Sequence, residues 1–283
     1  MASITFEQMK TIAPRGKEDA LNAVVKFLDQ HGEEYGLTTP VRTAHFIAQL
    51  AHESDGFRAT EEYASGAAYE GRMSLGNTEE GDGMRFKGRG FIMLTGRKNY
   101  TEYGEKLGVD LVNHPEKAAE PEIAMKIAAQ YWKDNNLNEL ADKNAIVGIT
   151  QKINGGVNGF DNRKAYFIKA AEQLGDLDRQ TAEVQEISGK DLWGPGQKGP
   201  HISALQTELN EKMGSYMDKT LDVDGKYGPA MVRAVKLAET KINEHAQRDV
   251  LHIDGIADPL MREELHKYPE VTPTTDIATT TMA

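Results

Sequence analysis

Two glutamates nine residues apart carry the clearest chemical signal in this chain. Glu53 follows an apolar stretch with helical spacing, and Glu62 comes after a turn at Gly56. The C-terminal end of a helix disfavours negative charge, so Glu53 is expected to keep its proton and act as a general acid. Glu62, in a wetter position, is expected to stay ionised and act as a base. Glu61 and Glu70 remain alternatives for the base.

A second stretch, residues 88–100, combines closely spaced glycines with side chains that can hydrogen-bond sugars, namely Thr95, Asn99 and Tyr100. The stretch has no Gly-Lys-Ser/Thr, and its pattern shows no helix starting directly after the glycines. Both features argue against a phosphate-binding loop. Asn154 stands near the predicted end of another helix, where it is either a helix cap or a ligand.

Apolar residues recur at helical spacing before residue 175, and no long alternating segment competes with them. Thr39 and Pro40 are typical of a helix start, and Gly175 is typical of a helix stop. The first part of the chain is therefore predicted to be all-α. The glycine-rich segment 63–90 is a candidate binding loop. The predicted helices are 18–28, 40–53, 121–133, 141–153 and 160–174.

The remainder of the chain contains a short internal repeat. Asp224-Gly225, followed by Pro229, recurs thirty residues later as Asp254-Gly255, followed by Pro259. Asp-Gly favours a tight turn and Pro favours the first position of a helix, so each copy predicts a turn followed by a helix. The pattern fits a small helical bundle and a binding repeat equally well. A Gly- and Pro-rich segment, 189–200, indicates a domain boundary.

The amino-acid composition argues against several classes of function. The 283 residues carry a net charge of −11 and contain no cysteine. The negative charge argues against sequence-independent nucleic-acid binding and against docking on an anionic membrane. Without cysteine there is no thiol nucleophile and no thiolate zinc site. No His-Glu-x-x-His is present, and Thr220 and Met231 occupy positions where a calcium loop needs carboxylates. We therefore expect neither a metal nor a cofactor.

With these motifs in view, the segment from about Thr39 to Leu174 resembles the family 19 glycoside hydrolases, which include plant-type chitinases and many bacteriophage endolysins. The resemblance implies a lysozyme-like or chitinase-like helical fold. It also implies that Glu53 is the general acid, that Glu62 is the most fitting base, and that Thr95 positions the attacking water. It further implies substrate contacts at Tyr63, Asn99, Asn154 and Arg163. The matching motifs are Ala51-His52-Glu53-Ser54, Glu62-Tyr63-Ala64, Tyr69-Glu70-Gly71-Arg72, Gly88-Arg89-Gly90, Leu94-Thr95-Gly96, Asn99-Tyr100 and Ile153-Asn154-Gly155-Gly156.

The chain departs from the family pattern at two positions. Met93 stands where the family commonly has Gln, and Asn158 stands where plant members have an acidic residue that links the acid to an arginine. The second part of the chain resembles a small three-helix peptidoglycan-binding module, through Leu205-Gln206, Leu209-Asn210 and the first Asp-Gly turn.

These features predict a catalytic domain over 1–178, a linker over 179–191, a peptidoglycan-binding domain over 192–268 and a disordered tail over 269–283. The predicted protein is a monomeric endolysin that hydrolyses β-1,4 bonds between N-acetylmuramic acid and N-acetylglucosamine with inversion and so lyses a host cell. Peptidoglycan is its expected partner, without nucleic acid or membrane. No secretory signal is visible, so we expect it in the host cytoplasm until a separate pore-forming protein releases it. A chitinase and a non-catalytic wall-binding protein are the alternatives.

Overall fold

The computed structural model describes residues 3–175, 184 and 186–269. The protein is mostly helical, which confirms the all-α prediction, and β-pairing among the described residues is limited to isolated bridges. The chain divides into two compact units, residues 1–150 with 159–187, and residues 151–158 with 188–283. Residues 179–183 and 185 of the predicted linker lie outside the described residues, as do residues 270–283 of the predicted tail.

The described chain up to residue 175 forms nine α-helices. The 3-10 turns Ala67–Tyr69, Met73–Leu75 and Pro115–Ala119 lie between them. The helices are α1 (Phe6–Ile12), α2 (Glu18–His31), α3 (Pro40–Glu53), α4 (Asp82–Arg85), α5 (Arg97–Leu107), α6 (Pro121–Asp134), α7 (Leu137–Asp142), α8 (Ile146–Asn154) and α9 (Phe160–Leu174).

Helix α3 is the central element of the first unit, and it packs along α9. It starts as predicted, with Pro40 in the first position and the Thr39 hydroxyl accepting from the Arg42 amide. Every residue from Thr43 to Ala51 is buried, so the middle of the helix is core on all sides. Helix α9 stops at Gly175, which has a positive φ of 73°, as the sequence also predicts.

Two sequence expectations are wrong. The predicted helix over 141–153 is two helices, α7 and α8, because Asn144 adopts a left-handed conformation (φ 52°). The Asn144 side chain bonds the buried His45 at 2.6 Å, a long-range contact that a local apolar pattern does not reveal. Helix α5 also begins at Arg97, directly after Gly96. The sequence case against a phosphate-binding loop therefore rests only on the missing Gly-Lys-Ser/Thr.

From residue 188 onward the described chain forms three α-helices, α10 (Pro200–Met213), α11 (Pro229–Ala246) and α12 (Pro259–Lys267). Each begins with proline, whose fixed φ suits the first helical position. All three contribute to one apolar core, which includes Leu205, Leu209, Met231, Val235, Met261 and Leu265.

The internal repeat has a structural counterpart in this second unit. The Gly225 amide donates to Gln206 Oε1 at 2.8 Å, and Gln206 Nε2 donates to Asp224 Oδ1 at 2.9 Å. In the second copy, the Gly255 amide donates to the carboxyl group of Glu239. Each Asp-Gly turn is thus held by a polar side chain of the preceding helix.

Candidate active site

Glu53 is the last residue of α3, and a buried arginine from α9 holds its side chain. Arg163 Nη2 donates to Glu53 Oε1 at 2.5 Å, and Arg163 Nη1 donates to Gln49 Oε1 at 2.5 Å. Gln49 precedes Glu53 by one helical turn, so both oxygens lie on the face of α3 that meets α9. The Arg163 guanidinium therefore links two side chains of the same helix.

The position of Arg163 changes its expected role. Its side chain has no exposed surface, whereas the Glu53 side chain is 18% exposed. Arg163 thus lies beneath the carboxyl group and contacts the acid, not the surface where a glycan would bind. Gln49 was not predicted from the sequence. It lies four residues before Glu53, on the same face of α3.

His52 is also fixed from α9. Its Nδ1 is bonded to Asn162 Oδ1 at 2.8 Å, and burial, followed by the charge of Arg163, lowers its pKa. The ring lies against the backbone of Gly159, where a Cβ atom would fall 2.2 Å from His52 Cε1. Gly159 also has a φ of +72°. Glycine at this position therefore allows the neutral imidazole to pack beside the acid-bearing helix end.

Backbone bridges bring Glu62 and Thr95 to the same place. Arg89 forms an isolated antiparallel bridge with Glu61 on one side and with Leu94 on the other. The Glu62 amide donates to the Gly88 carbonyl at 2.9 Å. A Cβ atom on Gly88 would lie 3.3 Å from Glu62 Oε2 and 3.3 Å from Thr95 Oγ1. The predicted base and the predicted hydroxyl therefore meet over a residue that has no side chain.

The hydrogen bonds at this point suit a bound water. Glu62 Oε2 accepts from the Tyr69 hydroxyl at 3.0 Å, and Glu62 Oε1 is buried with no hydrogen-bond partner among the described residues. Thr95 Oγ1 donates to the Met93 carbonyl at 2.8 Å, so it can only accept from a further ligand. A water placed between Glu62 and Thr95 would donate one hydrogen to each. Its lone pairs would then remain available for attack.

The two alternative bases already have structural partners. Glu61 forms ion pairs with Lys87 and Arg89, both at 3.1 Å. Burial tends to raise the pKa of Glu61, but the Lys87 hydrogen bond and the Arg89 charge outweigh it and lower that pKa. Glu70 accepts from the Gly81 and Gly83 amides, each at 2.7 Å, and so holds the glycine-rich loop. The geometry favours Glu62 as the base.

The three remaining predicted substrate contacts occupy different settings. Tyr63 is 83% exposed, and its hydroxyl donates to Asp55 at 3.1 Å, which ties the Glu62 segment to the end of α3. Asn99 Nδ2 donates to the Thr95 carbonyl at 2.8 Å and supports the backbone of the hydroxyl residue. Asn154 is exposed and is the last residue of α8.

The described residues contain neither a metal-binding cluster nor a membrane-spanning helix. No group of three or more His, Asp or Glu side chains is arranged to hold a metal ion in that part of the chain. None of the helices there is both long and apolar enough to cross a membrane.

Comparison with known proteins gives the family of this site. The glycoside hydrolase family 19 model, described as chitinase class I, matches residues 32–156, a range that includes Glu53, Glu62 and Thr95. Residues 32–156 therefore match a glycoside hydrolase family 19 domain, and the family 19 domain below means this part of the chain. The sequence resemblance is confirmed at this level, and the domain is chitinase-like.

Relatives of the family 19 domain occur in bacteria and plants. A glycosyl hydrolase family 19 domain-containing protein of Haemophilus influenzae is 29% identical over 195 residues, covering 58% of this chain and 92% of the relative. Endochitinase At2g43620 of Arabidopsis thaliana is 32% identical over 139 residues, 47% of each chain. Acidic endochitinase Q of Nicotiana tabacum is 30% identical over 134 residues, 40% of this chain and 51% of the relative. The chain thus spans about half the length of these plant relatives.

Among solved structures, a crystal structure of a chitinase C mutant aligns with a TM-score of 0.51 at 21% identity. The alignment covers 61% of this chain and 92% of that one. At this identity the match supports the fold of the family 19 domain.

Proposed function

We propose that the family 19 domain is an inverting glycosidase that hydrolyses β-1,4 bonds, with Glu53 as general acid and Glu62 as general base. The observation that carries this proposal is that Glu62 Oε2 and Thr95 Oγ1 both border Gly88, each 3.3 Å from the place where a Cβ atom on that residue would lie. A carboxylate and a hydroxyl that border the same glycine can hold a single water molecule between them.

In this mechanism Glu53 transfers its proton to the glycosidic oxygen as the bond from that oxygen to the anomeric carbon breaks. The water held by Glu62 and Thr95 forms the new bond at the anomeric carbon from the opposite face, and its proton passes to Glu62. Glu53 ends the step as a carboxylate paired with Arg163. Inversion predicts carboxyl groups about 6.5–9.5 Å apart, which leaves room for the water.

We further propose that the substrate is peptidoglycan and that the protein is an endolysin. The support is the second unit, which has the Leu-Gln, Leu-Asn and Asp-Gly pattern of a peptidoglycan-binding module and folds as three helices around one core. On this proposal residues 1–178 cut the wall and residues 192–268 bind it. A monomer would act after a separate pore-forming protein releases it from the host cytoplasm. Chitin is the second candidate substrate, because the plant relatives are named endochitinases.

The chemistry can be tested by following the first product with NMR. Whichever polymer is cut, an inverting reaction on a β-linkage gives the α-anomer at the new reducing end before mutarotation. Glu53→Gln and Glu62→Gln are each expected to lower kcat about 100-fold or more, the usual contribution of an acid or base. A β-anomer as first product would overturn the assignment of Glu62 as a base that activates water.

A further inference from the structure

The second unit contains a groove that no part of the proposed catalytic chemistry uses. It lies between the segment 216–222 and the first half of α11, and it encloses a cavity of about 390 Å³. That volume is in the range of sites that hold small ligands. Apolar side chains line part of it, among them Met217, Leu221 and Leu237. Its charged lining residues are Asp218, Lys219, Asp222 and Arg233.

The wall of the groove is a fixed element. Asn210 Nδ2 donates to the Leu221 carbonyl at 2.9 Å, and the Leu221 amide donates to Asn210 Oδ1 at 2.7 Å. Met217 and Leu221 also pack against the apolar core of the unit. The segment is thus held at one point by two hydrogen bonds to α10 and by its apolar side chains. The groove is formed before any ligand arrives, so binding there requires little ordering of the protein.

Lys219 and Asp222 lie 3.8 Å apart, so the charged lining residues without a partner among the described residues are Asp218 and Arg233. Arg233 is the positive one. It is exposed, and within the described residues its side chain makes no hydrogen bond or ion pair. Residues three and four positions away on α11 are Pro229, Ala230, Lys236 and Leu237, so no acidic side chain stands at the spacing that would neutralise it. A free guanidinium beside an apolar floor is a suitable partner for a carboxylate.

The aromatic side chain of the groove, Tyr216, already contacts a lysine. Lys241 lies 5.1 Å from the centre of the Tyr216 ring and also bonds Glu244 at 2.7 Å. Lys241 therefore covers one face of the ring. The unpaired Arg233 and Asp218, together with the apolar floor, favour a peptide, which carries charges of both signs, over a glycan of neutral sugars.

We propose that this groove binds the peptide stem of peptidoglycan, with Arg233 pairing with a stem carboxylate and the apolar floor receiving small side chains. The inference rests on the proposed role of the second unit in wall binding and assigns that role to particular residues.

The test measures binding of the full chain to purified sacculi. The chain carries Glu53→Gln so that the wall stays intact during the measurement. Two added variants reverse one exposed positive charge each: Arg233→Glu in the groove and Arg248→Glu outside it, in the same unit. Binding is compared between intact sacculi and glycan strands whose peptide stems an amidase has removed. Circular dichroism confirms that each variant is folded.

We expect Arg233→Glu to weaken binding to intact sacculi about tenfold or more, the usual effect of losing a hydrogen bond between charged groups. Arg248→Glu is expected to bind as the parent does, and the parent is expected to bind stripped glycan poorly. Equal binding by the two variants overturns the proposal, and so does equal binding to intact and stripped polymers. A parent that binds neither polymer removes both this inference and the wall-binding role of the second unit. The glycosidase assignment would still be decided separately by product analysis.

Discussion

At the scale of single residues, Gly88 is the sharpest test of the proposed water site. A methyl group there would lie 3.3 Å from both Glu62 Oε2 and Thr95 Oγ1 and would occupy the space assigned to the water. Gly88 does not have a positive φ, so alanine brings no backbone strain. We expect Gly88→Ala to lower kcat about 100-fold, a typical loss when a general base can no longer activate its water.

The measurement is steady-state kinetics with a melting curve for each protein. Gly71→Ala is a fitting control for a glycine in the same loop, since a Cβ there meets nothing within 4 Å, although its positive φ costs some stability. Near-normal kcat in Gly88→Ala would show that no reacting water sits over Gly88.

Gln49 is the second residue whose role can be separated from folding. It accepts from Arg163, which also holds Glu53, so a carboxylate at position 49 would share the guanidinium charge. The guanidinium would then hold Glu53 less firmly, because two carboxylates compete for it. We expect Gln49→Glu to lower kcat about tenfold or more, measured by steady-state kinetics, because the acid is no longer held in position.

Gln30→Glu, an equal charge change at an exposed position on α2, is the matched control. An effect of position 49 on folding alone would change the melting temperature and leave kcat of the folded enzyme unchanged. That outcome would contradict the positioning role of Gln49.

Residue types and spacing pointed to Glu53 and Glu62 as acid and base, and the resemblance to family 19 implied the role of Thr95. They were not enough to find Gln49 or to place Arg163, because that interaction joins side chains 114 residues apart. They also left the base open among three glutamates. Only the hydrogen bonds of Glu61 and Glu70 show that these two already have structural partners.

At the scale of elements, the two Asp-Gly turns of the second unit differ in one informative way. Gln206 donates an amide hydrogen to Asp224, whereas Glu239, its counterpart, can hydrogen-bond Asp254 in the same manner only when one of the two carboxyls is protonated. Burial raises the pKa of both groups, and the charge of Asp254 raises that of Glu239 further. The charged and titratable groups around the pair are Tyr227, Lys236, Asp258, Arg262 and His252.

This difference predicts a pH-dependent stability of the second unit. Because the pKa values are raised in the folded state, the folded unit keeps protons that the unfolded chain loses above about pH 4. Their contribution to stability is complete below that pH and is lost as pH rises. The unfolding constant is expected to increase up to about tenfold per pH unit for each proton involved. Glu239→Gln should reduce this dependence, and Gln206→Glu should introduce it at the first turn.

Urea unfolding at several pH values, followed by the indole NMR signal of Trp193, measures this directly. The chain has two tryptophans, and only Trp193 lies in the second unit. An unchanged pH slope in Glu239→Gln would show that the buried pair does not control stability.

Element boundaries were predictable where proline and glycine set them. Thr39-Pro40 and Gly175 marked helix ends correctly because their backbone preferences are local. The break at Asn144 was not predictable, since the left-handed turn is supported by a contact with His45 in α3.

At the scale of the whole molecule, the chain has no cysteine, and the proposed acid and base are both carboxyl groups, which need no thiol. Division into two compact units is present in the structure. If peptidoglycan is the substrate, the first unit cuts it and the second unit binds it.

The central claim is that this family 19 domain cuts the glycan of peptidoglycan with Glu53 as its acid. Mass spectrometry of purified peptidoglycan digested by the wild-type chain and by Glu53→Gln tests it most directly. The account predicts soluble fragments with one kind of new reducing-end amino sugar, whose identity names the bond, and almost none with Glu53→Gln. Equal release by both proteins, or fragments cut only within the peptide stems, would contradict it.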